Sequence, residues 1–268
     1  MPGPLVPDEL WQTIQPFLPR HKARPGKRGR PPVDDRACLT GIVFVLKTGL
    51  PWENLPLEMG CGSGLTCWHR LRYWQRRGVW KKLLHALLDH LGREGLIDWD
   101  KACVDSQSIR AVLGGTYTGK NPTDRAKKGS KRHIIVDGNG TPLAIRITGA
   151  NRPDGGETLP LLDDIPPIQW PPGRPRRKPK ALYGHRVYGS KHNKEGLKAR
   201  RIEDHLAQPR TPHGSGLGKV RYVVERGLAW IGQARRLKIR YDRLPAMPRA
   251  FHLLQMARIC CKVLQRDF

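Results

Sequence analysis

Near residue 98 the spacing of apolar residues changes, and this limits the fold more than any other feature of the chain. Before it, apolar side chains recur every three or four positions, the period of helices that bury one face. After it come short apolar runs broken by turn residues, the texture of strands, and then two long helical stretches. A chain of this kind reads as a helical domain over 1–97 followed by a mixed α/β domain over 98–268, with a sheet flanked by helices.

In the first segment, "DELWQTIQPFL" from Asp8 predicts a short helix with Leu10, Trp11, Ile14 and Phe17 or Leu18 on one face. "RHKARPGKRGRPP" follows, with six Lys or Arg and no acid, a loop suited to tracking phosphates. Asp34 or Asp35 can cap the next helix, Leu39, Ile42, Val43 and Leu46 form its stripe, and Gly49 ends it. Ser63 or Thr66 can cap another, in which Trp68, Leu71 and Trp74 face inward. Arg70, Arg72, Arg76 and Arg77 lie mostly elsewhere on that cylinder. Two short helices joined by a tight turn, the second rich in arginine, suggest a helix-turn-helix. A third amphipathic helix begins at Val79.

In the second segment, "KACVDSQS" predicts a strand ending in Asp105, and "DGNG" between two apolar runs predicts a hairpin that uses Asp137 as a turn residue. "GGETLPLLDDI" predicts a short helix, "PPIQWPPGRPRRKPK" a proline-rich basic loop, and "ALYG" a strand leading to His185. "NKEGLKARR", "VRYVVERGLAWIGQARRL" and "AFHLLQMARICCKVL" predict helices.

Composition narrows the partner. The 49 Lys and Arg against 23 Asp and Glu leave a net charge of +26, which suits a polyanion better than a small metabolite. No apolar run is long enough for a membrane span, and the N-terminus lacks the pattern of a signal peptide. The six cysteines have no framework spacing and read as reduced thiols of a cytoplasmic protein. Cys61, Cys67 and His69 lack a convincing fourth zinc ligand and read as packing residues.

Asp105 beside a strand and Glu225 within an amphipathic helix form a pair of hard oxygen donors that could converge on Mg²⁺. That pair alone is a weak signal. The longer motifs add to it. "ACVDSQSIRA", "TGKNPTDRAKKGSKRHIIVDGNGTPLAIRITGANRPD", "RYVVERGLAWIGQARRLKIRYDR" and "LKTGLPWENLPLEMGCGSGLTCWHRLRYWQRRGVWKKLL" together resemble bacterial insertion-sequence transposases of the IS5 group, from about Leu5 to Leu264. The resemblance implies a DDE-type recombinase with an RNase H-like catalytic domain and a helix-turn-helix-like N-terminal domain. It also implies Mg²⁺ or Mn²⁺ as cofactor, and double-stranded DNA (terminal inverted repeats and target) as partner. A homo-oligomer in the bacterial cytoplasm, at the nucleoid, follows from the family's reaction on paired ends.

Carried onto this sequence, the family's first Asp falls on Asp105 and its Glu on Glu225. The segment of the second Asp reads Gly184, His185, Arg186, Val187, Tyr188, Gly189, so His185 stands where a carboxylate is expected. Neutral imidazole offers one nitrogen and no charge, a poor match for Mg²⁺. The expectation is therefore strand transfer that is impaired, or a catalytically inactive protein that occupies transposon ends as a repressor. A ribosome- or RNA-binding protein would fit the charge but not the placement of Asp105 and Glu225. Lys131, Arg132, Arg221, Arg226, Arg235 and Arg236 join the four arginines of the N-terminal segment as candidate DNA contacts.

Overall fold

A computed structural model describes residues 3–20, 31–171, 173–207 and 217–265, with side chains described from 222 onward in the last stretch. Most of the basic loop expected after residue 20 lies outside the described residues.

The N-terminal region is helical: α1 (Asp8–Ile14), α2 (Asp35–Thr48), α3 (Gly64–Arg76) and α4 (Val79–Arg93). The ends follow from local chemistry. The Asp34 carboxylate accepts from the Ala37 N–H at 2.9 Å and the Ser63 hydroxyl oxygen from the Thr66 N–H at 3.2 Å. Gly49 closes α2 at a left-handed φ of 77°. The tight connection is the one from α3 to α4, through Arg77 and Gly78. Between α2 and α3 the chain takes a longer path with two 3₁₀ turns, unlike the tight turn expected there. Leu71 and Trp74 are buried, whereas Trp68 is half-buried beneath the Arg72 guanidinium.

The second region is built on β1 (Lys101–Ala111), β2 (Gly119–Lys120), β3 (Lys128–Asp137), β4 (Pro142–Gly149), α5 (Thr158–Asp163), β5 (Ile168–Trp170), β6 (Gly173–Arg176), β7 (Ala181–Gly184), α6 (Lys191–Ala199), β8 (Glu203–Leu206), α7 (Leu217–Gly232), β9 (Ile239–Arg240) and α8 (Ala246–Leu264). The main sheet runs β4-β3-β1-β7-β8, with β2 added to β3 and β9 to β1. β1, β3 and β4 form an antiparallel meander, and β7 and β8 are parallel to β1. This mixed sheet, an antiparallel half continued by parallel strands through helical crossovers, is the RNase H-like arrangement. The β3–β4 turn depends on Asp137, whose buried carboxylate accepts from the backbone N–H groups of Asp98, Asn139 and Thr141 at 2.7–3.0 Å.

Helices cover both sides of the sheet. Successive strand residues point to opposite faces. On one face a Cβ placed on Gly227 of α7 would sit 2.9 Å from Val136 Cγ1, so helix and sheet touch closely there. On the other face Arg146 of β4 bonds Glu157, just before α5, and Asp164, just after it, at 2.8 and 2.7 Å. The N-terminal helices pack on α8, and Trp52 stacks on Phe251 with ring centroids 5.8 Å apart. One continuous cluster of buried apolar residues spans both regions.

Two further sequence expectations change. β1 does not end at Asp105; it continues to Ala111 because its pairing with β3 persists to Arg110↔Gly129. The proline-rich basic stretch is not wholly loop, because Ile168–Trp170 and Gly173–Arg176 pair as an antiparallel hairpin.

Candidate active site

β1 and β7 run parallel with Val104 opposite Gly184, so the chain leaves β7 at His185 beside Asp105 on the neighbouring strand. Gly184 is held tightly: a Cβ there would lie 2.9 Å from both Val104 Cγ1 and Leu206 Cδ2. His185 is half-buried, and its carbonyl accepts from the Tyr188 N–H at 2.9 Å as a 3₁₀ turn begins. Asp105 is half-buried, and one carboxylate oxygen accepts from the Ser106 N–H at 2.8 Å.

Strand parity puts Cys103, Asp105 and Gln107 on one face, together with Arg132, Ile134 and Val136 of β3. This is the face that α7 covers. Gln107 and Arg132 hydrogen-bond each other and share a cavity of about 440 Å³ with Leu228, Ala229 and Gly232 of α7. Glu225 is exposed on α7, next to the fully buried Val224. The fold therefore sets Asp105 and His185 on adjacent strands under the helix that carries Glu225.

The remaining carboxylates of this region are engaged elsewhere. Asp154 accepts from Ser106 Oγ at 2.8 Å, lies 2.9 Å from Lys131 Nζ and 3.8 Å from His133 Nδ1. Ser106, Lys131 and His133 point to the face opposite Asp105, so the sheet separates Asp154 from it. Burial pushes the His133 imidazole down to about 4, against the pull of Asp154 and Glu157. Asp163 pairs with Arg200 at 2.6 Å and Asp164 with Arg146 at 2.7 Å, as befits charges at the end of α5.

Among the described residues no group of three or more His, Cys, Asp or Glu is gathered as a metal site. The donors that the sequence nominates are two carboxylates on different elements, Asp105 and Glu225, and one imidazole, His185. Mg²⁺ requires near-octahedral oxygen ligands and binds imidazole poorly, so this set does not fit it. Cys61 and Cys67 are buried against Gly41 and hydrogen-bonded locally with Cys38, while His69 is exposed, consistent with packing.

The candidate DNA contacts divide by exposure. Arg76, Arg77 and Arg235 are exposed. Arg72 is half-buried over Trp68, and Arg226 stacks between Tyr222 and Trp230 while donating to the Asn139 carbonyl. Lys131 is half-buried and paired with Asp154. Arg70 pairs with Asp35 between α2 and α3, with only 12% and 17% of the side chains exposed. Arg132 and Arg236 are buried, and a phosphate cannot reach them. Arg132 bonds Gln107 and the Leu237 carbonyl, and Arg236 pairs with Asp242 at 3.3 Å, so both serve the interior. The side chain of Arg221 lies outside the described residues.

Some organising residues had no sequence signal. Asn193, buried on α6, donates to the carbonyls of Gly155 and Tyr188 at 2.9 and 2.8 Å and to Thr158 Oγ1 at 3.1 Å, tying α6 to the turn after His185. A polar helix residue gives no hint of this from its neighbours in sequence.

Comparison with known proteins gives two family matches: "Putative transposase of IS4/5 family" over residues 6–84 and "Transposase DDE domain" over residues 100–260. The "Putative transposase for insertion sequence element IS402" of Burkholderia cepacia is 49% identical over 153 residues, 57% of this chain and 72% of that protein. The "Insertion element IS402 uncharacterized 16.2 kDa protein" of the same organism is 56% identical over 123 residues, 46% of this chain and 84% of that protein. Among solved structures, the catalytic domain of Mos1 mariner transposase matches with 12% identity and a TM-score of 0.33, covering 73% of this chain and 93% of that one. The Mos1 mariner paired end complex with Mn matches with 9% identity and a TM-score of 0.34, over 95% and 84%. Among the described residues no helix is long and apolar enough to cross a membrane.

Proposed function

This chain belongs to the DDE-domain transposase family of insertion sequences, and on that premise we propose that it binds the terminal inverted repeats of its element but cleaves and transfers strands poorly. The observation that carries the reading is the parallel β1–β7 register, Val104 opposite Gly184, which brings the chain at His185 alongside Asp105, at a position where the family resemblance implies a carboxylate.

The chemistry follows from charge. DDE transposases generally work with divalent cations. A second carboxylate at position 185 would add a negative charge and hard oxygen donors next to Asp105; His185 supplies neither. Asp105 is oriented by the Ser106 N–H, and Glu225 is carried on a helix held against the sheet by close contact at Gly227, which supports reading these two as the family's remaining carboxylates. DNA binding does not depend on position 185. The helical N-terminal region, with Arg72, Arg76 and Arg77 on α3, is the element we assign to repeat recognition, and Arg226 and Arg235 to phosphates near the catalytic face. Two ends must be held together, so the working form is a homo-oligomer, acting on DNA in the bacterial cytoplasm.

A second reading rests on the same histidine: a protein that occupies transposon ends without cutting them, acting as a repressor. Cleavage and strand transfer on terminal-repeat DNA, measured for the native chain and for His185→Asp in Mg²⁺ and in Mn²⁺, separate the two. Weak activity that His185→Asp raises supports an impaired transposase. Activity seen only with His185→Asp supports the inactive binder. Full activity of the native chain in Mg²⁺ contradicts both.

A further inference from the structure

A strongly basic cleft lies at the end of the sheet remote from His185. It has a volume of about 700 Å³ and is formed where the segment after the β5–β6 hairpin enters β7 and where α6 ends. Arg176, Arg177, Lys178, Lys180 and Arg201 line it and are exposed. Among the described residues none of these five has an ion-pair partner within 4 Å, and Asp100 is the one acid of the lining. Arg200 also lines it, but its charge is matched by Asp163.

The cations stand on a rigid mount. The Gln169 N–H donates to Asp89 Oδ1 of α4 at 2.9 Å, and His85 of the same helix lies 2.6 Å from the Pro167 carbonyl. Gly92 of α4 lets the hairpin sit directly on the helix, for a Cβ there would collide with the Gln169 carbonyl. Arg176 is laid over Trp170, 4.4 Å from the ring centroid. Prolines 175 and 179 restrict the backbone between the cations. Arg201 holds a left-handed φ of 55°, a conformation that favours glycine, at the end of α6. A merely solvated basic loop needs none of this fixation. Fixed, unpaired cations with one acid among them suit a regular polyanion.

We propose that this cleft is a second DNA-binding surface, which grips the backbone of duplex DNA independently of sequence and apart from the Asp105 face. The inference rests on the DNA-binding reading above. Lys101 opens β1 beside Ala181, and Asp105 lies four residues further along. At ~3.3 Å per residue, the cleft and the catalytic face are about 13 Å apart along the strand. That distance is about four base pairs of duplex at ~3.4 Å each, so one duplex can lie in the cleft and reach the Asp105 face a few base pairs away.

The test is binding of the full chain to a labelled duplex of unrelated sequence, followed by anisotropy from 50 to 200 mM salt. The variants are Arg176→Ala/Arg177→Ala/Lys178→Ala and the charge-conserving Arg176→Lys/Arg177→Lys, each checked by thermal unfolding. Each phosphate contact contributes about 0.9 to the slope of log affinity against log salt, so losing three lowers it by about 2.7. Over that salt range the native chain should lose about 40-fold more affinity than the alanine variant. The lysine pair should keep the native slope. An alanine variant that unfolds like the native chain and keeps its slope overturns the second surface while leaving DNA binding intact. A native chain with no salt-dependent binding to any duplex overturns the DNA-binding reading itself, and this inference with it.

Discussion

Replacing Gly92 by alanine would separate two opposing effects at one position. In an open helix interior the change stabilises by about 0.5–1 kcal/mol, because glycine loses more backbone entropy on folding. At residue 92 the new methyl would strike the Gln169 carbonyl and approach Ile168 Cγ2 to 2.7 Å. Backbone cannot swing aside as a long side chain can, so α4 or the hairpin must shift, at a cost of about 1–3 kcal/mol. A shifted hairpin also strains the Gln169 N–H bond to Asp89, a charge-assisted bond worth about 1.5–3 kcal/mol. The collision therefore outweighs the propensity gain by roughly 2 kcal/mol. For a chain of this size that lowers Tm by about 4–8 °C. Gly232→Ala is the control, since its methyl would meet only Arg132 Nη2 at 3.7 Å and should leave Tm unchanged or slightly raised. Thermal unfolding of both variants decides. Equal or higher stability for Gly92→Ala would refute the close docking of the hairpin on α4.

Three further outcomes follow. Arg70→Ala should destabilise the N-terminal region by about 3 kcal/mol in chemical denaturation, because it leaves the Asp35 carboxylate largely buried without its partner; a change below 1 kcal/mol would contradict this. Arg76→Ala/Arg77→Ala should leave unfolding unchanged and lower the DNA salt slope by about 2 in the anisotropy assay. Stability should rise between pH 4.5 and 5.5. Burial holds His133 down to about 4 and His252 to about 3, so the unfolded chain binds two more protons than the fold across that window. Asp137, raised to about 7 by burial, opposes them, since the fold keeps a proton that the unfolded chain has released. Two protons against one leave a slope of about 1.4 kcal/mol per pH unit, measurable as the denaturant midpoint; a flat or falling profile would contradict it.

Much of the helical half was legible because its signals are local. Asp34, Gly49 and Ser63 each mark a helix end by chemistry confined to one turn. The "DGNG" turn was legible for the same reason, and so was the short apolar run that put Cys103 and Val104 in a strand. Asp105 looked like a strand tip because "SQS" after it is polar. Only the antiparallel pairing with β3 keeps those residues extended, and pairing is not local. The β5–β6 hairpin was hidden for a related reason: its stability comes from α4, through Asp89 and Gly92, more than from the proline-rich segment itself. Arg132 and Arg236 read as surface cations because charge type says nothing of the carbonyls and carboxylates the fold brings to meet them. The place of His185 was legible from the flanking Arg186 and Tyr188; its neighbour on the adjacent strand required the register.

The most direct measurement of the central claim is Mn²⁺ binding, followed by its paramagnetic resonance signal, for the native chain, His185→Asp, and His185→Asp/Asp105→Asn. The shared strand level of residues 105 and 185 predicts that His185→Asp binds at least about tenfold more tightly than the native chain, through added charge and hard donors. It also predicts that Asp105→Asn abolishes the gain. Equal affinity of the native chain and His185→Asp, or a gain that survives Asp105→Asn, would mean that these two positions do not share a site.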